Sequence, residues 1–331
     1  MKRIIFSTAP IPAGLGTRLQ GSFGGVWELI LGSDIPEEIR SRVEILVAAD
    51  TKWLNKLSFK GMNNLRLVQT FSAGIDALDF ETIPKDVIVC GNVGAFAEPI
   101  AEHVFGMIEC LAKNLVVRDA ELKRSIFDQS SGMFLKGKTI GVVGTGGIGK
   151  AVARLAKAYG MTTLGVNSSG RTAEFFDHIE STSGLDHVMA TSDVIVLAVP
   201  LTLHTLNLIN KSKLDLMKKN CILINVGRGW IVNEKALYDH LVENPSFKAG
   251  IDVWWRYPEP GKPFAQDYPF FGLPNFLGSP HIADHVPESD GLGIESIVRN
   301  LERYLNGEPT KGAVKREDYL GLKSVISREQ T

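Results

Sequence analysis

The sequence has few cysteines, no excess of charge of one sign and no long apolar run. Only three of its 331 residues are cysteines, and Cys90, Cys110 and Cys221 follow no metal-binding or redox spacing. Lysines and arginines number 36 against 37 acidic residues, so the basic excess typical of nucleic-acid binding is missing. The strongest apolar run, residues 194–201, has the length of a strand rather than of a membrane span. We expect a protein that binds neither nucleic acid nor membranes.

The first residues also lack the pattern of a secretory signal. Met1, Lys2 and Arg3 precede only three apolar residues before polar Ser7. Scattered cysteines are typical of a reducing compartment, so we expect a cytoplasmic protein. The composition, 44% hydrophobic and 22% charged, fits a globular enzyme, and the length predicts two domains.

Short β-branched segments alternate with helical stretches along most of the chain. They show little alternation of polar and apolar residues, which is typical of strands buried on both faces of a parallel sheet. Strand and helix repetition of this kind predicts an α/β fold with two doubly wound parallel sheets. The predicted strands are 2–8, 43–49, 65–69, 87–89, 139–144, 163–166, 194–199, 222–226 and 248–253.

A long helical pattern over residues 98–126 separates the two series of strands, and a second one, over 292–305, closes the later series. The tail after it is too short to form a domain and is expected to return to the first one. We therefore predict one domain from residues 1–97 with 286–331, and a second from residues 98–285 inserted into it.

A glycine-rich loop directly follows the predicted strand 139–144. Its spacing, Gly-x-Gly-x-x-Gly at Gly144, Gly146 and Gly149, is typical of dinucleotide-binding loops when a strand precedes it and a helix follows. The first glycine allows a tight turn, the second a close approach of the pyrophosphate, and the third close packing of helix on strand. The N-terminus of the next helix then offers N–H groups to the phosphates. We predict a nicotinamide dinucleotide site here.

The residue that distinguishes NAD from NADP is expected at the end of the next strand. A carboxylate there accepts hydrogen bonds from the ribose 2′-hydroxyl and repels a 2′-phosphate. This sequence has Asn167 instead, 18 residues after Gly149, followed by Ser168, Ser169 and Arg171. Neutral side chains beside a guanidinium suit a phosphate better, so NADP is favoured over NAD.

Beyond the glycine loop, the chain resembles the D-isomer-specific 2-hydroxyacid dehydrogenases over nearly its whole length, with features of the glyoxylate and hydroxypyruvate reductases. The resemblance implies a Rossmann-like cofactor domain inserted into a flavodoxin-like substrate domain, a small 2-keto or 2-hydroxy acid as substrate, and a homodimer. It is carried by ordered motifs: Ser72-Ala73-Gly74-Ile75-Asp76, Ala101-Glu102-His103, the Gly144 loop, Val199-Pro200-Leu201-Thr202, Asn225-Val226-Gly227-Arg228-Gly229, Ile251-Asp252-Val253, Glu259-Pro260 and Ser279-Pro280-His281-Ile282-Ala283.

The resemblance assigns Arg228, Glu259 and His281 as the catalytic residues. A guanidinium can hold the carboxylate of a 2-keto acid and polarise its ketone. A histidine titrates near neutral pH and can give the carbonyl oxygen its proton. A carboxylate beside the imidazole orients it and favours its protonated form. Relatives place this glutamate five residues after the Asp of the Asp-Val pair, whereas Glu259 lies seven residues after Asp252 and position 257 is a tyrosine.

By the same resemblance, backbone N–H groups of Ala73, Gly74 and Ile75 hold the substrate carboxylate together with Arg228 and His281. The residues expected to line the cofactor are Gly144, Gly146, Gly147, Ile148, Gly149, Asn167, Ser168, Ser169, Arg171, Pro200, Thr205, Val226 and Asp252, with Asp252 facing the nicotinamide amide. Trp254, Trp255 and Tyr257 either border the substrate or pack in the core. His281, Asp284 and His285 have the spacing of metal ligands, but hydride transfer requires no metal and none is expected.

Two other functions fit parts of the sequence. The same fold serves as a nicotinamide-sensing corepressor, a binding protein, although the presence of all three catalytic residue types favours an enzyme. A formate dehydrogenase is suggested by Asp252-Val253-Trp254. That branch has Gln in place of Glu259, and Asn where this chain has residues 96–98. Reduction of small 2-keto acids (glyoxylate, hydroxypyruvate or pyruvate) is therefore the preferred interpretation.

Overall fold

The computed structural model describes residues 2–11, 16–17, 21 and 25–329. It divides the chain into two compact units, one formed by Met1–Phe96 with Pro287–Thr331 and the other by Ala97–Val286. Each contains one parallel β-sheet, as expected for the α/β class predicted from the sequence.

The first unit is built on a five-stranded sheet in the order β2-β1-β3-β4-β5, the flavodoxin-like order. All of its strand pairs are parallel. Apolar side chains of β1, β3 and β4 pack against one face of α8 to form its core. The elements of this unit are β1 Arg3–Ser7, β2 Trp27–Leu31, β3 Val43–Ala48, α1 Thr51–Lys56, β4 Leu67–Thr70, β5 Ile88–Cys90, α8 Ser289–Leu305 and α9 Leu322–Glu329, with 3-10 helices at Glu37–Arg42 and Arg316–Asp318.

The second unit is built on a seven-stranded parallel sheet. Its helices are α2 Ala97–Ala112, α3 Leu115–Leu122, α4 Gly147–Ala158, α5 Leu185–Thr191, α6 Lys211–Leu216 and α7 Glu234–Glu243. Its strands are β6 Thr139–Val143, β7 Thr162–Val166, β8 His178–Glu180, β9 Val194–Leu197, β10 Ile222–Asn225, β11 Lys248–Ile251 and β12 Phe276–Gly278, with 3-10 helices at Thr182–Gly184, Gly229–Ile231 and Phe270–Gly272.

The order of the strands in this sheet is β12-β11-β10-β9-β6-β7-β8, which is the Rossmann order extended by one strand. From β6 the chain continues to β7 on one side of β6 and later adds β9 on the other side. Strands β6 and β9 are therefore adjacent, with Val143 paired to Leu197 at their carboxyl ends. Ligands of doubly wound sheets bind in the crevice at such a switch point. The predicted pair of doubly wound sheets is confirmed.

The structure differs from the sequence predictions in two respects. The helical pattern over residues 98–126 forms two helices rather than one, because Asn114 lies in the left-handed region with φ 55° and ends the regular turn between α2 and α3. In addition, β2, β8 and β12 were not predicted. They are edge strands of three to five residues with no fully buried side chain, so they lack the apolar run that marks the central strands.

Candidate active site

The predicted functional residues of the second unit follow the carboxyl ends of neighbouring parallel strands. Gly144 follows β6, Pro200 follows β9, Arg228 follows β10, Asp252 follows β11 and His281 follows β12. Because these strands are parallel, their carboxyl ends share one edge of the sheet. The topology therefore brings together residues that are widely separated in the sequence.

The glycine loop has the geometry of a phosphate-binding turn. Gly144 has φ +100°, and a Cβ atom there would lie 2.5 Å from the carbonyl oxygen of Ala198. A Cβ atom on Gly149 would lie 2.0 Å from the carbonyl oxygen of Gly144, so helix and strand pack closely. A Cβ atom on Gly146, by contrast, meets no atom of the described chain within 4 Å. Gly146 thus leaves room for a ligand to approach the backbone.

The N-terminus of α4 is open to that ligand. Gly146 precedes the helix and provides no side-chain cap, and the N–H of Lys150 makes the first bond, 2.9 Å, to the carbonyl of Gly146. The N–H groups of Gly147, Ile148 and Gly149 therefore precede the intrahelical ladder and point out of the helix. Together with the positive end of the helix dipole, they fit the pyrophosphate of a dinucleotide.

Asn167 organises the loop after β7 through its own side chain. Its Nδ2 donates to the hydroxyl of Thr145 at 2.9 Å and to the carbonyl of Arg171 at 3.0 Å. Its Oδ1 accepts hydrogen bonds from the backbone N–H and the hydroxyl of Ser169. Both ends of the amide are thus used within the loop. Ser168 and Arg171 are exposed there, and the guanidinium of Arg171 forms no hydrogen bond or ion pair with the described residues.

Arg228 lies on a loop held by buried hydrogen bonds. The fully buried Asn225 at the end of β10 accepts from the N–H of Gly227 at 3.1 Å and donates to the carbonyl of Arg228 at 2.9 Å. One guanidinium nitrogen of Arg228 donates to the carbonyl of Gly227 at 2.8 Å. A Cβ atom on Gly229 would lie 2.3 Å from the carbonyl carbon of Trp254, so the loop packs directly on the segment after β11.

His281 is paired with Tyr257 and not with Glu259. The hydroxyl of Tyr257 lies 2.8 Å from Nδ1 of His281, and the two ring centroids are 5.4 Å apart. Glu259 instead forms a 2.7 Å ion pair with Lys262, and its side chain is 68% exposed. The structure therefore does not bring Glu259 to the imidazole. Tyr257 lies five residues after Asp252, which is the interval at which the family resemblance implies the glutamate.

Asp252 is a structural anchor of the segment that carries His281. This carboxylate is 1% exposed and accepts hydrogen bonds from the hydroxyl of Ser279 at 2.6 Å and from the N–H groups of Ile282 and Ala283 at 3.0 and 3.1 Å. These bonds hold His281 at φ 58°, in the left-handed region, which costs roughly 1–3 kcal/mol. The family resemblance implies that Asp252 faces the nicotinamide amide, and in the structure each of its oxygens accepts at least one hydrogen bond from the segment around His281.

Ser279 and His103 are two functional candidates that sequence reasoning missed. Nε2 of His103 lies 2.9 Å from the hydroxyl of Ser279 and 3.7 Å from Oδ1 of Asp252. Both residues lie in motifs of the family resemblance, but only the structure shows that the hydroxyl of Ser279 connects the imidazole of His103 to the carboxylate of Asp252. His103, on α2, thus adds a contact to the network of Asp252.

The environment of His281 disfavours its charged form. Burial lowers the pKa of His281 below the ordinary histidine value, and the positive charge of Arg228 lowers it further. The carboxylates of Asp252 and Asp284 oppose this effect, while His285 adds to it. Arg228 and His281 therefore lie close enough to interact electrostatically.

The other predicted cofactor residues are placed on the loops and the core beneath them. The hydroxyl of Thr205 donates to the carbonyl of Pro200 at 2.6 Å and accepts from the N–H of Thr202 at 2.8 Å, so it shapes the loop after β9. Val226 is buried after β10, and Ile148 packs partly against the core of the second unit.

The predicted substrate loop lies in the first unit, directly after β4. The hydroxyl of Ser72 donates to the carbonyl of Gly74 at 3.0 Å, and Ile75 is buried. Within the described part of the chain, the backbone N–H groups of Ala73, Gly74 and Ile75 form no hydrogen bond. They are available to an anionic group.

The two tryptophans after β11 are core residues. Trp254 donates from Nε1 to the carbonyl of Ser279 at 2.9 Å, and Trp255 donates to the carbonyl of Val232 at 2.7 Å while it stacks on Phe270. Among the described residues, no three His, Cys, Asp or Glu side chains are grouped to hold a metal. No helix formed by the residues that the structure describes is long and apolar enough to cross a membrane.

Comparison with known proteins identifies the family. Residues 105–283 match the family model described as D-isomer specific 2-hydroxyacid dehydrogenase, NAD binding domain. The glyoxylate reductase of Pyrococcus furiosus is 31% identical over 331 aligned positions, which cover 96% of each chain. The D-3-phosphoglycerate dehydrogenase of Methanocaldococcus jannaschii is 30% identical over 286, covering 85% of this chain but 53% of that protein, so the chain spans about half the length of that relative.

A solved structure gives the same result for the fold. The crystal structure of a D-isomer specific 2-hydroxyacid dehydrogenase family protein from Aeromonas salmonicida matches with a TM-score of 0.75 and 28% identity, over 96% of this chain and all of that one. The prediction of a nicotinamide-dependent oxidoreductase that transfers a hydride to or from 2-keto and 2-hydroxy acids is confirmed at the level of the family. The chain belongs to the D-isomer specific 2-hydroxyacid dehydrogenases.

Proposed function

We propose that this protein reduces a small 2-keto acid, of the size of glyoxylate, hydroxypyruvate or pyruvate, with NADPH as the preferred hydride donor. The observation that carries the proposal is the placement of a guanidinium, Arg228, and an imidazole, His281, at the same edge of the parallel sheet, after the carboxyl ends of β10 and β12. Relatives named glyoxylate reductase support the substrate class.

The chemistry follows from these two groups. Arg228 holds the substrate carboxylate with its planar fork and polarises the adjacent ketone. A reduced dinucleotide held at the glycine loop and the N-terminus of α4 would supply the hydride for the new C–H bond at the carbonyl carbon. The carbonyl oxygen receives the proton from Nε2 of a protonated His281, which leaves a neutral imidazole and a 2-hydroxy acid. In the reverse direction the neutral imidazole takes that proton back.

The glycine loop and the open N-terminus of α4 support the proposal that residues 98–285 form the cofactor domain. The unused N–H groups of Ala73, Gly74 and Ile75 support the proposal that residues 1–97 with 286–331 form the substrate domain. The preference for NADPH rests on the loop after β7, where Ser168 and Arg171 are exposed and Asn167 stands in place of a carboxylate.

We also propose a cytoplasmic homodimer. The three cysteines are free thiols, which suits a reducing compartment. Apolar side chains of α3 and the segment after it are exposed, with Phe127 at 78% and Phe134 at 68%. Exposed apolar patches of this kind mark protein–protein contacts. Sedimentation of wild type and Phe127→Asp tests the dimer: the variant should be a monomer, and an unchanged assembly would place the interface elsewhere.

The experiment that tests the proposed activity is a panel of the three keto acids with NADPH and NADH, followed by the loss of reduced-nicotinamide absorbance. His281→Ala should lower kcat by roughly 10²- to 10⁴-fold while the Kd for NADPH stays near the wild-type value. A variant that retains more than half of the wild-type kcat would refute His281 as the proton donor. No turnover of any keto acid by wild type would refute the substrate class.

A further inference from the structure

We propose that Tyr257 is the positioning residue of His281: its phenolic hydroxyl, and not a carboxylate, bonds Nδ1 and leaves Nε2 for the substrate oxygen. The inference rests on the proposed role of His281 as proton donor and goes beyond it. It states that a phenol orients the imidazole and that this phenol brings no negative charge to the site.

The backbone places Tyr257 at the imidazole. Tyr257 lies five residues after Asp252, and the segment between them is fixed by the buried indole of Trp254, which is bonded to the carbonyl of Ser279. Ser279 precedes His281 by two residues and is itself bonded to Asp252. Both ends of the Tyr257–His281 contact therefore depend on the same buried network. Its length of 2.8 Å is ordinary for a strong hydrogen bond.

The rival partner is occupied elsewhere. Glu259 pairs with Lys262 at the exposed end of the same segment. To reach Nδ1 its carboxylate would have to leave this ion pair and displace the tyrosine hydroxyl. The two-residue difference in spacing therefore has a structural outcome: the interval at which the family resemblance implies a carboxylate is occupied here by the phenol of Tyr257.

A phenol serves the imidazole in both protonation states, unlike a carboxylate. It can donate its O–H to Nδ1 of a neutral ring, which leaves the ring proton on Nε2, or accept the Nδ1–H of a charged ring. The N–H of Trp254 points to the phenolic oxygen at a long 3.5 Å, which favours donation by the hydroxyl to Nδ1. In the free protein the neutral ring therefore prefers its proton on Nε2. When the charged ring gives up its Nε2 proton to substrate, the phenolic oxygen instead accepts the remaining Nδ1–H.

The phenol brings no negative charge. The charged and titratable groups that act on His281 are Arg228 and His285, which oppose protonation, and Asp252 and Asp284, which favour it. A carboxylate in hydrogen-bond contact would shift the balance toward the imidazolium, whereas neutral Tyr257 does not. We therefore expect keto-acid reduction, which needs the imidazolium, to be displaced toward acid pH relative to a form with a carboxylate at position 257.

The experiment is a nitrogen-15 NMR titration of the histidines in the intact protein without substrate or dinucleotide. His281 is one of seven histidines, and its signals are identified by their loss in His281→Gln. Tyr257→Glu should raise the pKa of His281 by about 1–3 units, as an adjacent opposite charge does. Tyr257→Phe should reduce the population of the Nε2–H tautomer. Tyr268→Phe, which removes a phenol hydroxyl elsewhere in the second unit, should change neither the pKa of His281 nor the population of its Nε2–H tautomer.

Glu259→Gln tests the rival assignment in the same titration. If Tyr257 is the partner, the pKa of His281 stays at the wild-type value in Glu259→Gln. A fall of this pKa in Glu259→Gln, or no response of His281 to Tyr257→Glu, would overturn the proposal whatever the activities are.

Kinetics then separate this inference from the proposed function. The pH at which kcat/KM for reduction is half-maximal should rise in Tyr257→Glu by the same amount as the NMR pKa. Tyr257→Phe should lower kcat about 2- to 12-fold, the equivalent of one hydrogen bond, with KM for NADPH unchanged. If the NMR pKa shifts and the kinetic profile does not, Tyr257 positions His281 but His281 is not the proton donor.

Discussion

The carboxylate of Asp252 accepts a 2.6 Å hydrogen bond from the hydroxyl of Ser279, two residues before His281. On the other side of the histidine the same carboxylate accepts the N–H groups of Ile282 and Ala283. One buried side chain thus holds both flanks of His281 in its left-handed conformation. The backbone conformation of His281 therefore depends on this carboxylate.

Replacement of this anchor should affect both stability and activity. Asp252→Asn keeps the shape, but its amide group offers one acceptor oxygen where the carboxylate serves three donors. We expect the free energy of unfolding to fall by about 1–3 kcal/mol and kcat to fall with it. Urea unfolding and steady-state kinetics measure the two effects. The matched control Asp186→Asn, at an exposed ion pair with Lys213, should change stability by less than about 1 kcal/mol.

Two glycines of the phosphate loop should respond differently to the same substitution. Gly149→Ala places a methyl group against the carbonyl of Gly144 and should lower the free energy of unfolding by about 1–3 kcal/mol. Gly146→Ala meets no described atom and should leave the melting temperature of the free protein unchanged. It should nevertheless raise the Kd for NADPH by about 10-fold, since a lost phosphate contact is worth about 1.4 kcal/mol.

Calorimetry of the free proteins and fluorescence titration with NADPH separate these effects. Unchanged NADPH binding by Gly146→Ala would show that the pyrophosphate does not approach the loop at that residue.

The fold class and the central strands could be predicted because central parallel strands are continuous apolar runs and the glycine loop has a fixed spacing. The edge strands β2, β8 and β12 could not, because they lack such runs. The residues that a motif carries, such as Gly144 and Arg228, could be named without coordinates. The partner of His281 could not, because two sequence signals disagreed: the expected glutamate stands at position 259, whereas the expected five-residue interval leads to Tyr257. Which of the two reaches the imidazole depends on tertiary contacts such as the bond of Trp254 to Ser279, which propensity alone does not predict.

Substrate anchoring by Arg228 is tested by a substitution that keeps its charge. Lysine has no planar fork and cannot make paired hydrogen bonds to a carboxylate. Loss of one charge-assisted hydrogen bond, about 1.5–3 kcal/mol, should lower kcat/KM for the keto acid about 10- to 150-fold in Arg228→Lys. Arg256→Lys, at an ion pair with Asp267 in the same unit, is the control. Wild-type efficiency in Arg228→Lys would mean that the carboxylate is held elsewhere.

The stability of the protein should decrease toward acid pH, and His240 should contribute to this. His240 is buried with its ring edge against Phe247, and burial lowers its pKa, an effect that Asp215 partly offsets. The unfolded chain then binds the proton near the ordinary value of 6.5 and the folded chain only at lower pH. Since the unfolded state holds more protons in that interval, the free energy of unfolding falls as the pH drops through it.

In His240→Leu this part of the pH dependence should disappear. Urea unfolding at about pH 7.5 and about pH 5.5 compares the variant with wild type, and the exposed His178→Gln is the matched control. The same loss of stability between the two pH values in wild type and His240→Leu would contradict the assignment.

The choice of dinucleotide should depend on Arg171. Its exposed guanidinium has no protein partner among the described residues, and the loop that carries it is held by the amide of Asn167. A charge-assisted bond to a 2′-phosphate is worth about 1.5–3 kcal/mol, so Arg171→Ala should raise KM for NADPH about 10- to 150-fold and leave KM for NADH unchanged. Arg124→Ala, at another exposed arginine of the same unit, should alter neither KM value.

Asn167→Asp is a less clean test, because a carboxylate cannot donate to the carbonyl of Arg171 and the loop itself would change. Equal effects of Arg171→Ala on the two dinucleotides would therefore exclude the phosphate contact, while hydride transfer would stand.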